Sequence, residues 1–413
     1  MSAATGTAAT QPFLGWRVVW AAFIVAVFGW GVGFYGPPVF LFTVHEARGW
    51  SVPLVSTAVT CHFLLGALVV ANLPALHGRI GLAGATRLGG ALSALGVAGW
   101  ALAADPWQLF LATAVSGAGW AMTGGAAINA MVSPWFVRRR PAALATAYNG
   151  ASVGGVVLSP LWVALIGAFG FPLAAAVVGS AMALALWFLA GRHLAHGPAA
   201  LGQLPDGDDA ATTAARPPSP HAPLSGRTPW RNRRFLTLAL GTSLGLFAQI
   251  GLIAHLFSLL VVPFGAQLAG FAAGLATACA VAGRTGMGWL MRPTIDRRIA
   301  ASGNYVLQLA GSLVLLAAGG SDPALLLLGI ALFGLGLGNA TSLPPMIAQS
   351  DFAPADTARV VALVTASSQA AYAFAPAAFG LLREGVGAGA LFVAAAAIQG
   401  LAALVLLAGR RQT

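Results

Sequence analysis

The feature that most constrains this chain is a succession of apolar runs, each long enough to cross a lipid bilayer and each ended by a short polar break. A bilayer core takes about 20 residues of helix. The runs give twelve spans, approximately 17–42, 52–76, 87–104, 107–131, 142–166, 172–190, 235–262, 266–291, 302–320, 323–348, 358–382 and 387–408. Only 8% of the 413 residues are charged and 58% are hydrophobic, against about a quarter charged in an ordinary soluble domain. Hydrocarbon offers no water to backbone N–H and C=O groups, so such spans must satisfy them internally as helices. The expected fold class is an all-α membrane protein with twelve transmembrane helices. Residues 1–14 hold no positive charge, and the first run is too long for a signal-peptide core, which predicts a retained first helix. Cys61 and Cys279 both fall inside apolar runs and mark no disulfide framework.

The formal net charge of +11 comes from arginine alone, since no lysine occurs anywhere. With both termini on one side, that side collects eighteen arginines, among them Arg138, Arg139, Arg140, Arg233 and Arg234. The other side has only Arg48 and Arg383, and Arg284 lies within a span. This asymmetry is a positive-inside signal and predicts cytoplasmic termini. The charge reports topology, and no nucleic-acid partner is expected.

One long loop, 191–234, holds seven prolines amid Ala, Gly, Ser and Thr, a composition expected of a loosely held linker. Its His193, His196 and His221 have no metal-ligand partners at sensible spacing, so no metal is expected. The chain thus divides into residues 1–190, a cytoplasmic linker over 191–234, and residues 235–413. A shift of about 217 residues lays "ADPW" (104–107) on "SDPA" (321–324), Gly66 on Gly283 and Arg17 on Arg234. In the fifth helix of each half, Tyr148, Ser152, Gly155 and Ser159 meet Thr365, Gln369, Tyr372 and Pro376, one helix face in both. These matches predict two parallel six-helix repeats.

Polar residues concentrate in some spans: Tyr35, His62, Asn129, Asn149, Gln249, His255, Arg284, Asn339, Gln369 and Tyr372. They need partners or water, so they are expected to face a central cavity. Asn304, Tyr305 and Gln308 open the ninth helix near the cytoplasmic face and read as interfacial anchors. Tyr35 precedes Pro37–Pro38, where the first helix should kink or end. No carboxylate falls in any predicted span, which leaves a cation pocket or a carboxylate proton relay without its usual residue. Arg284 in "VAGRTGMGWLMR" (281–292) is the buried charge. Placing it there costs about 2.5–3.5 kcal/mol on insertion scales, and its planar fork can grip a carboxylate with two charge-assisted hydrogen bonds. The other reading is that it snorkels toward Arg292, roughly 12 Å away by helix rise. A buried acid, a metal-spaced histidine cluster and a nucleophile–base pair are all missing, which argues against an enzyme. The glycine-rich "GLGLGN" (334–339) and "GAGWAMTGG" (117–125) sit inside apolar helices and predict close helix packing, not nucleotide binding.

Several local patterns resemble the major facilitator superfamily. "WFVRRRPAALATAYNGASVGGVVLSP" (135–160) and "RGWS" (48–51) are similar to its monocarboxylate transporter and oxalate–formate antiporter branch. "DRR" (Asp296, Arg297, Arg298) resembles the superfamily's loop signature, whose N-terminal copy "GRIG" (78–81) keeps Arg79 but has Gly78 in place of the acid. The resemblance implies two six-helix bundles rocking around a central cavity, with a helix-eight arginine on the substrate carboxylate. "RTGMG" (284–288) looks like that segment and places the role on Arg284. Gln249, His255, Tyr35, Gln369 and Tyr372 are the further substrate-binding candidates. Lysines common in the family are missing, so its coupling mechanism does not transfer. His62 and His255 are the proton-linked candidates, and exchange of one anion for another stays open.

The expected function is secondary active transport of small organic anions, mono- or dicarboxylates, by a monomer without cofactor. The lipid bilayer and a co-transported proton or counter-anion are its expected partners. Efflux of larger amphipathic compounds, or a transporter-like receptor without flux, are the alternatives. Lysine-free, alanine-rich composition points to a GC-rich bacterium and its inner membrane.

Overall fold

The computed structural model describes residues 12–208, 229–292 and 294–410, and all regular secondary structure among them is helical. Span 1 is Gly15–Gly33 continued by Gly36–Arg48; it breaks at Phe34 and Tyr35, just before Pro37, which lacks the N–H needed to continue the ladder. Span 2 is Val52–Ala71. Leu73–Leu102 carries its tail and then span 3, across a break at Gly81 (φ 72°). Spans 4, 10 and 11 are each split as well: Pro106–Thr123 with Gly125–Val132, Pro323–Leu337 with Asn339–Asp351, and Pro354–Tyr372 with Ala375–Gly385. Span 5, Arg140–Phe169, runs unbroken through Pro160. Spans 6, 9 and 12 are Phe171–Leu189, Arg297–Ala317 and Ala388–Ala408. Arg233–Leu290 is one run interrupted at Gly265 (φ 73°), where spans 7 and 8 meet. Among the described residues nine helices are long and apolar enough to cross a membrane; Val52–Ala71, 106–132 and the far part of Arg233–Leu290 fill the places of spans 2, 4 and 8.

The repeat seen in the sequence recurs in the helix starts. Asp105 with Pro106 opens span 4, and Asp322 with Pro323 opens span 10. Each aspartate caps the first turn, Asp105 in a capping box with Gln108 and Asp322 on the N–H groups of Ala324 and Leu325. Proline at the first helical position gives up only a donor that would be orphaned there. Spans 6 and 12 both follow a left-handed glycine, Gly170 (φ 77°) and Gly387 (φ 118°), a conformation a Cβ disfavours. "ADPW" and "SDPA" therefore encode one turn twice.

The distribution of polarity is inverted relative to a protein in water. Phe188, Leu95, Trp289 and Leu404 are exposed, whereas Gln308, Ser368, Gln399 and Arg284 are buried. A lipid-facing surface welcomes the first group, and only the interior can partner the second. Asn304, Tyr305 and Gln308 correct an expectation: they are buried between helices and are not interfacial anchors. Asn304 Nδ2 and Gln308 Nε2 both donate to the Gly336 carbonyl, and Asn339 Nδ2 donates to Asn304 Oδ1. The linker also departs from a loosely held segment over its first part. Asp206 is buried at φ 63°, and its carboxylate accepts the backbone N–H groups of Val137, Arg138 and Arg139. Gln203 donates to the Pro12 carbonyl and accepts from the Leu14 N–H. His221 lies outside the described residues.

Candidate substrate site

A cavity of about 90 Å³ lies between the two halves. Residues on spans 1, 2, 4 and 5 form one wall, and residues on spans 7, 8, 10 and 11 the other. Of the six substrate-binding candidates, Arg284, Gln249, Tyr35, Gln369 and Tyr372 line it.

Arg284 is 3% exposed and does not snorkel. Its Nε donates to the Gly338 carbonyl at 2.8 Å, within its own half. Its Nη1 crosses the seam, donating to the Tyr148 carbonyl at 2.6 Å, Asn149 Oδ1 at 3.2 Å and Ser152 Oγ at 3.3 Å on span 5. Hydrogen bonds to a charged group contribute about 1.5–3 kcal/mol each, which offsets the cost of placing the guanidinium at this depth. Nη2 has no hydrogen-bond partner among the described residues, and no carboxylate there pairs with Arg284. The approach needs glycine at 338, where a Cβ would press on the Ala280 carbonyl and reach Arg284 Nη2 at 3.0 Å. Close packing at "GLGLGN" thus has a use: it brings a carbonyl to the arginine.

The seam holds other bonds. Gln369 Nε2 donates to the Phe63 carbonyl at 2.8 Å, and Trp120 Nε1 donates to Gln369 Oε1 at 3.0 Å. Asn149 Nδ2 donates to Thr285 Oγ1. Toward the linker side, Gln349 Nε2 donates to Asn129 Oδ1 and Ser133 Oγ. Gln249 differs from all of these. It is 4% exposed, yet neither atom of its amide is hydrogen bonded among the described residues.

The two histidines lie elsewhere. His62 is buried, with Nδ1 at 2.8 Å from Ser116 Oγ and Nε2 at 3.0 Å from the Gly33 carbonyl, inside the N-terminal half. A carbonyl only accepts, so Nε2 carries a proton. His255 Nε2 meets the Pro376 carbonyl at 2.9 Å, where span 11 is broken. Neither lines the cavity. Asp296 and Arg298 sit on the linker side in a staple of the C-terminal half, and Arg79 is exposed on that side of the N-terminal half.

Trp120 and Tyr148 belong to the site without having been singled out for it. Trp120 is the one aromatic side chain in "GAGWAMTGG", and an indole amid mostly small residues in an apolar helix was the available signal. The roles of the Tyr148 and Gly338 carbonyls have no sequence signature.

The sequence model of the Major Facilitator Superfamily matches residues 103–376. The chain belongs to this superfamily. It is a family of transporters, so the protein is a multi-pass membrane transporter and not an enzyme. The fold agrees: the crystal structure of the human organic anion transporter MFSD10 (TETRAN) matches with a TM-score of 0.69 at 16% identity, over 96% of this chain and 100% of that one. Likeness at that identity shows the major facilitator fold. No curated protein matches the sequence.

Proposed function

We propose that the protein moves small organic anions, mono- or dicarboxylates, across the bacterial inner membrane by alternating access, with both termini and the linker face cytoplasmic. The observation that carries this reading is Arg284: a buried guanidinium that, among the described residues, has no carboxylate partner and an unpartnered Nη2 beside a cavity between the halves. A lone buried cation is neutralised by an anionic ligand. The buried Gln249 amide in the same cavity offers that ligand a donor and an acceptor.

The bonding of Arg284 also suggests how binding and motion are linked. A bidentate grip on a carboxylate needs two N–H groups side by side, but Nε and Nη1 are both taken. A carboxylate that engages Nη1 with Nη2 takes an N–H now shared among the Tyr148, Asn149 and Ser152 acceptors. Those acceptors belong to the other half, so ligand binding exchanges bonds across the seam for bonds to the substrate. Gln349 with Asn129 and Ser133, Gln369 with Phe63 and Trp120, and Asn149 with Thr285 also bridge residues 1–190 and 235–413 and must part for the two halves to reorient. MFSD10, which shares the fold, is an organic anion transporter, in keeping with an anionic substrate.

The test is a thermal-stability screen of purified protein against small carboxylates, with Arg284→Gln alongside, followed by flux into proteoliposomes. A ligand that binds only the folded state raises stability by about 2.7 kcal/mol at a hundred times its Kd. Stabilisation of the wild type with none for Arg284→Gln is expected. Equal stabilisation of both proteins places the anion elsewhere, and binding without flux makes the protein a receptor.

A further inference from the structure

The cavity has a second property, independent of its charge. Six of its twenty-seven lining residues are aromatic, more than twice the 9% aromatic share of the chain. Tyrosine is scarcer still: the sequence has four, and Tyr35, Tyr148 and Tyr372 all line this one cavity. Scattered core aromatics would not concentrate in this way.

The rings form a continuous wall. Tyr148 meets Trp30 at 6.2 Å between centroids and 90° between planes, and Trp30 meets Trp120 at 5.0 Å and 82°. Trp120 is followed by Phe34 at 6.1 Å, and Phe34 by Tyr372 at 6.5 Å and 83°. The wall begins where Arg284 Nη1 bonds the Tyr148 carbonyl. Most of its polar tips are committed to the protein: the Tyr148 hydroxyl donates to the Gly125 carbonyl, Trp120 Nε1 to Gln369 Oε1, and the Tyr372 hydroxyl to the same oxygen at 3.5 Å. What remains for a ligand is ring surface and the Trp30 indole N–H, which has no hydrogen-bond partner among the described residues. Opposite stand aliphatic residues of the C-terminal half, among them Leu246, Ile250, Leu337 and Pro344. A slot with an aromatic wall, an aliphatic wall and a cation at one end fits a flat apolar ring bearing one carboxylate. A ring's edge and face complement the wall, whereas an aliphatic acid gains only burial.

Resting on the organic-anion reading above, we propose that the preferred substrates are aromatic monocarboxylates, with the carboxylate on Arg284 and the ring against Trp30, Phe34 and Trp120. The discriminating pair is benzoate and cyclohexanecarboxylate, equal in carbon count and charge, with benzamide as the neutral aromatic control.

Binding is measured by calorimetry on the full-length protein in lipid nanodiscs, for wild type, Phe34→Leu and Arg284→Gln. Benzoate is expected to bind roughly three- to tenfold tighter than cyclohexanecarboxylate, the range of an aromatic pair's extra interaction. Phe34 is half-buried at the cavity, so Phe34→Leu should fold, narrow that ratio to below about twofold and leave cyclohexanecarboxylate nearly unchanged. The wild-type ratio decides the matter without the variant should it misfold. Equal binding of the two acids, both lost in Arg284→Gln, overturns the aromatic preference and leaves the anion reading standing. Benzamide binding as tightly as benzoate, with Arg284→Gln unaffected, overturns the anion reading and keeps the aromatic slot. No binding by any of the three overturns both.

Discussion

The two halves repeat one another in helix order yet secure their linker-side faces by different means. In the C-terminal half the staple is built from the half's own helices. Arg298, 3% exposed, donates through Nε to Asp351 at 2.7 Å, through Nη1 to Thr237 Oγ1 and the Leu406 carbonyl, and through Nη2 to the Arg234 carbonyl. One side chain thereby joins the linker-side ends of spans 7, 9, 10 and 12. Asp296 caps span 9 and pairs with Arg410 at 2.8 Å. In the N-terminal half the loop copy has Gly78 for Asp296 and Ile80 for Arg298, and the shift of about 217 residues lays Pro134 on Asp351 and His193 on Arg410. None of these ion pairs can form there. The linker supplies the missing acid instead: Asp206 holds the backbone ahead of span 5, Arg138 pairs with Asp208, and Gln203 holds the approach to span 1. A structural role has moved from the repeated loop to the segment that joins the repeats.

The largest expected effect comes from breaking the C-terminal staple. Arg298→Ala leaves Asp351 and two backbone carbonyls without their donor and should cost about 3–5 kcal/mol, the range for stripping one partner from a buried ion pair. Thermal unfolding in nanodiscs measures it, and a change within about 0.5 kcal/mol, typical of surface positions, would demote the staple to decoration. Asp206→Ala should cost less, about 1–3 kcal/mol, because its closest partners are neutral backbone donors and its charged neighbour, Arg138 at 3.9 Å, is largely exposed. It should also speed tryptic cleavage after Arg138 and Arg139, and unchanged cleavage would mean that the linker does not hold this loop. The double variant sharpens the contrast: if the halves are stapled independently, the two costs add to within about 0.5 kcal/mol.

The smallest effect is a pH dependence. Burial alone would raise the Asp296 carboxyl, but hydrogen bonds from Arg410 and from the Arg298 and Ile299 N–H groups outweigh it and hold it below the usual carboxylate range. A depressed carboxylate adds stability that is fully present above its unfolded value of about 3.9 and is lost as pH falls through the folded value. Asp296→Asn should flatten the acid limb of the melting profile below about pH 4. The same limb in both proteins would assign the acid sensitivity to other carboxylates.

How far the sequence could be read follows the same division. Spans, repeat and turns were legible because each is written locally: run length against bilayer thickness, Asp-Pro at a helix start, glycine where the backbone turns left-handed. Arg284, Gln249, Gln369, Tyr372 and Tyr35 were legible as polar groups that hydrocarbon rejects, and the cavity gathers all five. His62 and His255 satisfied the same rule but found carbonyl partners within their own halves. Polarity in a span says that a partner exists, not which one. Asp206 was hidden for the opposite reason, since an aspartate in a Pro- and Gly-rich loop looks the same in sequence whether it meets water or three backbone N–H groups.

The sequence by itself determined that this chain is a twelve-span membrane protein of two repeated halves with one arginine, Arg284, deep within a span, because lipid enforces those features residue by residue. Tertiary structure alone decided that the Arg284 guanidinium reaches across the seam, that Gly338 and Tyr148 answer it with carbonyls, and that five aromatic rings from distant spans form one wall. Backbone acceptors are identical at every residue, and ring-to-ring contact depends on how helices cross, so neither leaves a pattern along a single strand of sequence.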